Sequence, residues 1–397
     1  MNAHTPTFVT GASGFIGGRL AERLLASGRR VRVLARRPLP ALEKLGAEVL
    51  LGDLHDAEAL HRGCAGAGSV FHVAGRVGVW GPPADFFHVN VEGTRNVIAA
   101  CRAAGVRRLI YTSSPSVVYH GGDLSGVDES ALLCTTAPCA YPTSKAAAER
   151  LVSESNSASL ATISLRPHLV WGPGDQNVVP RVLALAKKGR LKIIGPGRNK
   201  VDVTHISNVV DAHLLAEQAL CRATARTIAP APAGGRSLGR EHAATGHTGL
   251  AAASNGVAAP AGAGAPSPRS GECHVLRDTS PDAAPRDPGG KAYFITNGEP
   301  VVLWDWINEL LRGVGLPELT KHVSVATAYR VAGVLEALWR VLPLKGEPPT
   351  TRFVVKELAT DHWFKLDAAR RDLGYEPRVT MAAGTAELIA HLRRAVL

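Results

Sequence analysis

Along the first 170 residues, short runs of apolar and β-branched residues alternate with longer stretches whose apolar positions recur every three or four residues. The short runs Thr7–Thr10, Val31–Ala35, Glu48–Leu51, 69–73, Arg108–Thr112 and 162–166 predict strands. Between the first two, Phe15–Ala26 carries Ile16, Leu20, Leu24 and Leu25 on one stripe and predicts a helix, as does 90–104. Strands that alternate with helices need crossover connections, so they run parallel in one sheet with helices on both faces. The expected class is α/β, a doubly wound parallel sheet.

Beyond Leu220 this pattern stops. From 221 to 290 the chain is mostly Ala, Gly, Pro, Ser, Thr and Arg, as in GVAAPAGAGAPSPRSG. Such a stretch buries too little apolar surface to offset the entropy of ordering it, so 221–290 is expected to be a low-complexity, disordered insertion. The pattern resumes at Lys291 with the strand-like AYFIT, a helical 303–314 and a long amphipathic stretch, 323–344. There Val323, Ala326, Val331, Val334, Leu335, Leu338, Trp339 and Leu342 form a broad apolar face broken by Arg330, Glu336 and Arg340. A face of this kind either packs on a core or meets an apolar partner, here a membrane surface or an acyl-carrying enzyme.

Composition narrows the class further. With 397 residues, 45% hydrophobic and 20% charged, the chain can bury a large core, which excludes general disorder, collagen, coiled coils and peptide toxins. Lys and Arg (45) exceed Asp and Glu (34), giving a net charge of +11. No block of like charges marks a nucleic-acid tail, so the basic balance suits an anionic small molecule and no nucleic-acid partner is expected. The six cysteines form no CxxC pair and no ladder with histidines, which predicts reduced thiols and no structural metal. Too few residues precede Phe8-Val9 for a signal peptide, and no run is long and apolar enough to span a bilayer. A cytoplasmic protein is expected, attached to membranes at most peripherally.

Chemistry enters at Thr10-Gly11-Ala12-Ser13-Gly14-Phe15-Ile16-Gly17, where a strand runs through a GxxGxxG turn into a helix. Gly11 allows the tight turn, Gly14 lets backbone approach a pyrophosphate, and Gly17 allows close packing, while the helix start offers free N–H groups. This is the dinucleotide-binding turn of a Rossmann fold, with Ser13, Phe15 and Ile16 against the ligand. The second strand ends at Ala35, followed by Arg36 and Arg37 where an NAD-preferring protein carries an acid for the ribose. Two guanidinium groups and no carboxylate favour a 2′-phosphate, so NADP(H) is expected to be preferred and NAD(H) tolerated. Asp53 and Leu54, after the third strand, would sit by the adenine.

A second constellation lies at Tyr141-Pro142-Thr143-Ser144-Lys145, at the start of a helical run. Four-residue spacing puts the phenol and the ammonium on one face, where the cation is expected to bring the phenol towards its working range. Upstream, a strand ends in Thr112-Ser113-Ser114, and a hydroxyl there faces the crevice of such a sheet. Ser114 would hold a carbonyl oxygen by hydrogen bond while Tyr141 protonates it.

With these residues in view, the chain resembles the extended short-chain dehydrogenase/reductase family. The pattern runs through TGASGFIG, Gly52-Asp53, VFHVAG, NVEGTRNVI, YTSS and YPTSK. The wording YTSSPSVVYH, YPTSKAAAERLV, LRPHLVWGPGD and FITNGEPVVLWDWIN is closest to its 3β-hydroxysteroid and sterol-4-carboxylate dehydrogenase branch, and is similar to bacterial 2-alkyl-3-oxoalkanoate reductases. The resemblance implies Ser114, Tyr141 and Lys145 as catalytic residues and Asn90 as the residue that props the lysine through a water. It implies Ala74 and Gly75 beside the cofactor, and Pro167 and His168 as backbone that orients the nicotinamide. Residues 1–180 would then be the NADP(H)-binding domain, with 181–220 and 291–397 a small substrate-binding part. The activity implied is NADP(H)-dependent interconversion of a ketone and a secondary alcohol on an apolar substrate, a 2-alkyl-3-oxoalkanoate or, alternatively, a sterol. A nucleotide-sugar epimerase or dehydratase is disfavoured by Val201 before Asp202 and by Pro115-Ser116 after the strand. A non-catalytic regulator is disfavoured by the intact Tyr and Lys, and a homodimer is expected.

Overall fold

Seven strands make the central sheet of the computed structural model, which describes residues 5–228, 287–342 and 344–396. They are β1 (Thr7–Thr10), β2 (Val31–Ala35), β3 (Glu48–Leu51), β4 (Ser69–His72), β5 (Arg108–Thr112), β6 (Ala161–Pro167) and β7 (Lys291–Ile295). In space they run β7-β6-β5-β4-β1-β2-β3, and every pairing is parallel. Every residue of β1 and of β4 is buried, as expected of central strands covered on both faces. The order reverses between β1 and β4, which opens a crevice at their carboxyl ends.

Two helical layers close the faces. On one side Leu20 and Leu24 of helix Phe15–Ala26 pack with Ile206, Val210 and Ala216 of helix Ile206–Ile228. On the other, Leu60, Val97, Ile98, Ala148 and Val152 come from helices Ala57–Cys64, Gly93–Ala103 and Ala140–Glu154. The predicted helix at 90–104 begins instead with a wider turn, His88–Glu92, that leads into Gly93–Ala103.

The chain is divided differently from the expected partition at residues 180 and 220. Helix Ile206–Ile228 and strand β7 both belong to the layers of the central sheet, because their apolar faces complete its core. The helix also continues through Ile228, since the Ala and Arg that make 221–228 look compositionally simple are good helix formers. Of the rest of the expected insertion, 229–286 lies outside the described residues, and 287–290 form the turn that leads into β7.

The smaller part surrounds a second core that includes Trp304, Leu310, Leu311 and Leu388. Its sheet runs Val301–Val302, Lys200–Val201, His362–Phe364 and Leu124–Val127. The last of these strands comes from the first half of the chain, so the two parts share a sheet. The stretch 323–344 resolves into a short strand, His322–Val323, and a helix, Val325–Val341, whose start is capped by Ser324 Oγ accepting from Thr327 N at 3.1 Å.

Candidate active site

The turn after β1 is a close fit of backbone on backbone. Gly11 has φ +77°, and a Cβ there would lie 2.6 Å from the Ala74 nitrogen; one on Gly17 would lie 2.3 Å from the Gly11 carbonyl oxygen. Gly17 thus packs on the turn itself. No side chain caps the helix that starts after Gly14, so its first N–H groups remain available to an anion. Below the turn, Thr10 Oγ1 is 2.8 Å from His72 Nδ1 and His72 Nε2 is 2.9 Å from Thr94 Oγ1. Thr94 donates its own proton to the Asn90 carbonyl at 2.6 Å, so Nε2 carries the imidazole hydrogen and Nδ1 accepts from Thr10. Burial, helped by the nearby Lys145 charge, pushes His72 down to about 3, so this strut is neutral.

A cavity of about 920 Å³ runs from this turn across the ends of β1, β4, β5 and β6. It brings together Gly11, Ser13, Gly14, Phe15, Ile16, Gly17, Arg36, Asp53, Leu54, Ala74 and Gly75 at one end, and Ser114, Tyr141, Lys145, Pro167 and His168 at the other. Arg37 is exposed and does not line it, and Asn90 stands behind the wall. An extended dinucleotide fits this trough: the glycine surfaces leave room that any side chain would fill, and unpaired helix N–H groups face it.

Helix Ala140–Glu154 presents Tyr141 and Lys145, with Pro142 tolerated in its first turn. Lys145 Nζ donates to the Thr112 carbonyl at 2.7 Å and stands 4.2 Å from the centre of the Tyr111 ring. Tyr141 and Ser114 line the same stretch of cavity wall, where the Ser114 hydroxyl favours the ionised phenol. Ser114 Oγ already accepts from Ser116 N at 3.2 Å and Ser116 Oγ at 3.0 Å, so its own hydrogen is available to donate into the cavity.

The ionisation of the pair departs from the expectation that the lysine pulls the phenol down. Burial pushes Tyr141 up, opposed by the Ser114 hydroxyl, and burial pushes Lys145 down to about 7, opposed by the Glu149 charge. Spacing shows which groups are neighbours; it does not show that both sit in a dry wall.

The Asn90 side chain ties two segments together. Its amide oxygen accepts from Arg76 N at 2.7 Å, and its nitrogen donates to the Arg76 carbonyl and to Ser144 Oγ, each at 3.0 Å. It therefore pins the loop after β4 to the residue preceding Lys145. Behind the nicotinamide end, His362 Nε2 donates to the Glu357 carbonyl, so its Nδ1 accepts from His168 Nε2 at 2.8 Å. The next residue, Leu169, has φ +37°, a strained conformation held at the cavity wall.

Several wall residues carried no signal in the sequence. Phe353, Val354, Glu357 and Leu358 come from the region of the short helix Arg352–Glu357, and Asn177, Val178 and Arg181 from the helix after β6. His55 and His88 stack face to face at 3.7 Å near Asp53. The five cysteines among the described residues are free thiols, and no metal-binding cluster occurs among those residues.

A glycine cradle for a nicotinamide dinucleotide, joined to a Ser–Tyr–Lys group in the same cavity wall, defines an NAD(P)-dependent oxidoreductase of the short-chain dehydrogenase/reductase type. Residues 8–231 match the 3-beta hydroxysteroid dehydrogenase/isomerase family, and the chain belongs to it. It is 39% identical to the 2-alkyl-3-oxoalkanoate reductase of Stenotrophomonas maltophilia, over 96% of this chain and 98% of that one. Identity to the reductase of the same name from Shewanella oneidensis is 37%, over 97% and 86% of the two chains. Among solved structures, gox2253 superposes with a TM-score of 0.66 at 24% identity, covering 99% of each chain, which shows the shared fold.

Proposed function

We propose that the protein reduces the 3-oxo group of a 2-alkyl-3-oxoalkanoate to the 3-hydroxy acid, using NADPH. The observation that carries this reading is the meeting of Ser114, Tyr141 and Lys145 in one cavity wall, at the point where the glycine-lined trough meets an apolar wall of Phe353, Val354 and Leu358. Pro167 and His168 would hold the nicotinamide, which when bound would supply hydride chemistry at the substrate carbonyl. Ser114 donates its free hydrogen to the carbonyl oxygen, Tyr141 delivers the proton that becomes the hydroxyl hydrogen, and Lys145 supports the charge left on the phenol. The fixed Thr112 carbonyl holds the ammonium in place throughout. Arg36 in the wall beyond β2, with no carboxylate there, supports NADP(H) over NAD(H). The names of the two bacterial relatives support the substrate class.

The test runs the reaction in both directions, following nicotinamide absorbance with 2-alkyl-3-hydroxyalkanoates and NADP⁺, and with freshly prepared 2-alkyl-3-oxoalkanoates and NADPH. Turnover of these acids with a preference for NADP(H) supports the reading. Turnover of sterol 3-alcohols with none of the alkyl acids would replace the substrate.

A further inference from the structure

Helix Val325–Val341 has an inner and an outer apolar face. The inner one is accounted for: Val325, Ala328, Tyr329 and Ala332 pack into the second core, and the buried Glu336 is held by Arg352 at 2.8 Å. The outer one has no partner in the chain among the described residues. Val331, Val334, Leu338 and Val341 recur at three- and four-residue spacing with their side chains in solvent, Val334 at 60% and Val341 at 80% exposure, and Leu342 and Leu344 extend the patch. Six of the eleven exposed large hydrophobic side chains among the described residues fall within these fourteen positions, so this is a patch and not scattered exposure. Leu335 and Trp339, which the sequence pattern also placed on the stripe, are half-buried and leave the outer face aliphatic.

Charge decides what kind of surface fits. Arg330, Arg340 and Lys345 are exposed around the patch, while of the nearby acids Glu336 is buried and paired with Arg352 and the exposed Glu347 is paired with Arg181 at 3.6 Å. An apolar strip rimmed by cations with no free carboxylate matches the interface of an anionic bilayer, with acyl chains below and phosphates above. A second copy of the strip would instead bring like charges together. The patch also adjoins the cavity mouth: the Arg340 guanidinium stacks over Trp80 at 5.6 Å, and the residues just before Trp80, Val77 to Val79, line the cavity. Helix Arg352–Glu357, bound to the inner face through Glu336, lines it too.

We propose that the outer face of helix Val325–Val341 docks the enzyme peripherally on an anionic lipid surface, with the cavity mouth towards the bilayer. The attachment is reversible, since no helix among the described residues is long and apolar enough to cross a membrane. Each cation near an anionic surface strengthens binding about fivefold, so the three together contribute about 10²-fold, most of which salt removes. The inference stands apart from the identity of the reaction, and its test needs no substrate.

The full chain is floated with vesicles of phosphatidylglycerol mixed with phosphatidylcholine, and with phosphatidylcholine alone. The comparison is with Val334→Glu/Leu338→Glu, and with Arg330→Gln/Lys345→Gln; near-ultraviolet circular dichroism and NADP⁺ binding check that both keep their fold. The expected result is salt-sensitive flotation with the anionic vesicles, at least about tenfold weaker for the first variant and for the second. Wild-type protein that stays in the soluble fraction, or floats equally with phosphatidylcholine alone, overturns the proposal. So does sedimentation showing that Val334→Glu/Leu338→Glu splits an oligomer while flotation is unchanged, which would assign the face to a second copy.

Discussion

Replacing Glu149 with Gln removes a charge from the best-shielded ion pair among the described residues. Arg166 reaches Glu149 through two bonds, at 2.6 and 3.0 Å, and the two side chains are only 4% and 5% exposed. Nη1 has no hydrogen-bond partner, the Phe294 ring lies 4.9 Å from the guanidinium, and Glu129 is its one other charged neighbour among the described residues. Breaking such a pair from one side strands a buried cation and costs about 3–5 kcal/mol. For an ordered body of this size the unfolding entropy is about 0.7 kcal/mol per kelvin, so the melting temperature should fall by roughly 4–7 °C. Glu149→Leu with Arg166→Met removes both charges and should recover most of that loss, because replacing a buried pair by apolar groups is often close to neutral. The substitution also reaches the chemistry. Glu149 opposes the burial that holds Lys145 at about 7, so its loss lowers the lysine further. An ammonium is lost as pH rises through its pKa, so the limb of the rate profile that needs Lys145 charged moves to lower pH. Thermal melts and kcat/KM profiles of the single and double variants measure both effects. A Gln variant that melts within about a degree of wild type and keeps its pH profile would refute the reasoning.

Tyr141→Phe should lower turnover by about 10²-fold or more while leaving nucleotide affinity intact, since the ring stays and only the proton donor goes; fluorescence titration and steady-state rates separate the two. Arg36→Asp should move the ratio of NADPH to NADH efficiency towards NADH, whereas Arg37→Asp should change it little, because only Arg36 lines the cavity. Gly17→Ala puts a methyl 2.3 Å from the Gly11 carbonyl, which must open the turn, and calorimetry should record at least about a tenfold loss of nucleotide affinity. His72 falls from its ordinary 6.5 to about 3 on folding, so its contribution to stability is complete above pH 6.5 and is lost as pH falls towards 3. In urea titrations between pH 4 and 6, His72→Gln should therefore flatten the dependence of unfolding free energy by roughly 1.4 kcal/mol per pH unit.

The sheet was legible because parallel strands buried on both faces read as unbroken apolar runs, and β1, β2, β3 and β5 begin and end where those runs do. Both ends of the site were legible for a similar reason: the glycine turn and the Tyr–Lys spacing are local, each set by one stretch of backbone. What depends on the fold was not. Asn90 finds Arg76 and Ser144 only once three segments meet, and the wall at Phe353 to Leu358 lies on a six-residue helix too short to show a stripe. The depressed lysine escaped as well, because burial is a property of the assembled wall. Helix Ile206–Ile228 runs past the start expected for the insertion because composition changes at Cys221 before helix propensity does.

The seventh strand has a consequence for how the enzyme is made. Strand β7 pairs with β6 alone and covers its open side, yet Lys291 follows Pro167, the end of β6, by 124 positions. At ribosomal rates of about 5–20 residues per second, that gap lasts roughly 6–25 s. Throughout it, β6 is an unpaired edge carrying Arg166 without Phe294 beside it, while Ser114, Tyr141 and Lys145 have already been synthesised. The nascent chain thus has Ser114, Tyr141 and Lys145 before it has a closed sheet. That interval is when a chaperone, or a neighbouring chain offering a strand, competes for the edge that β7 will take.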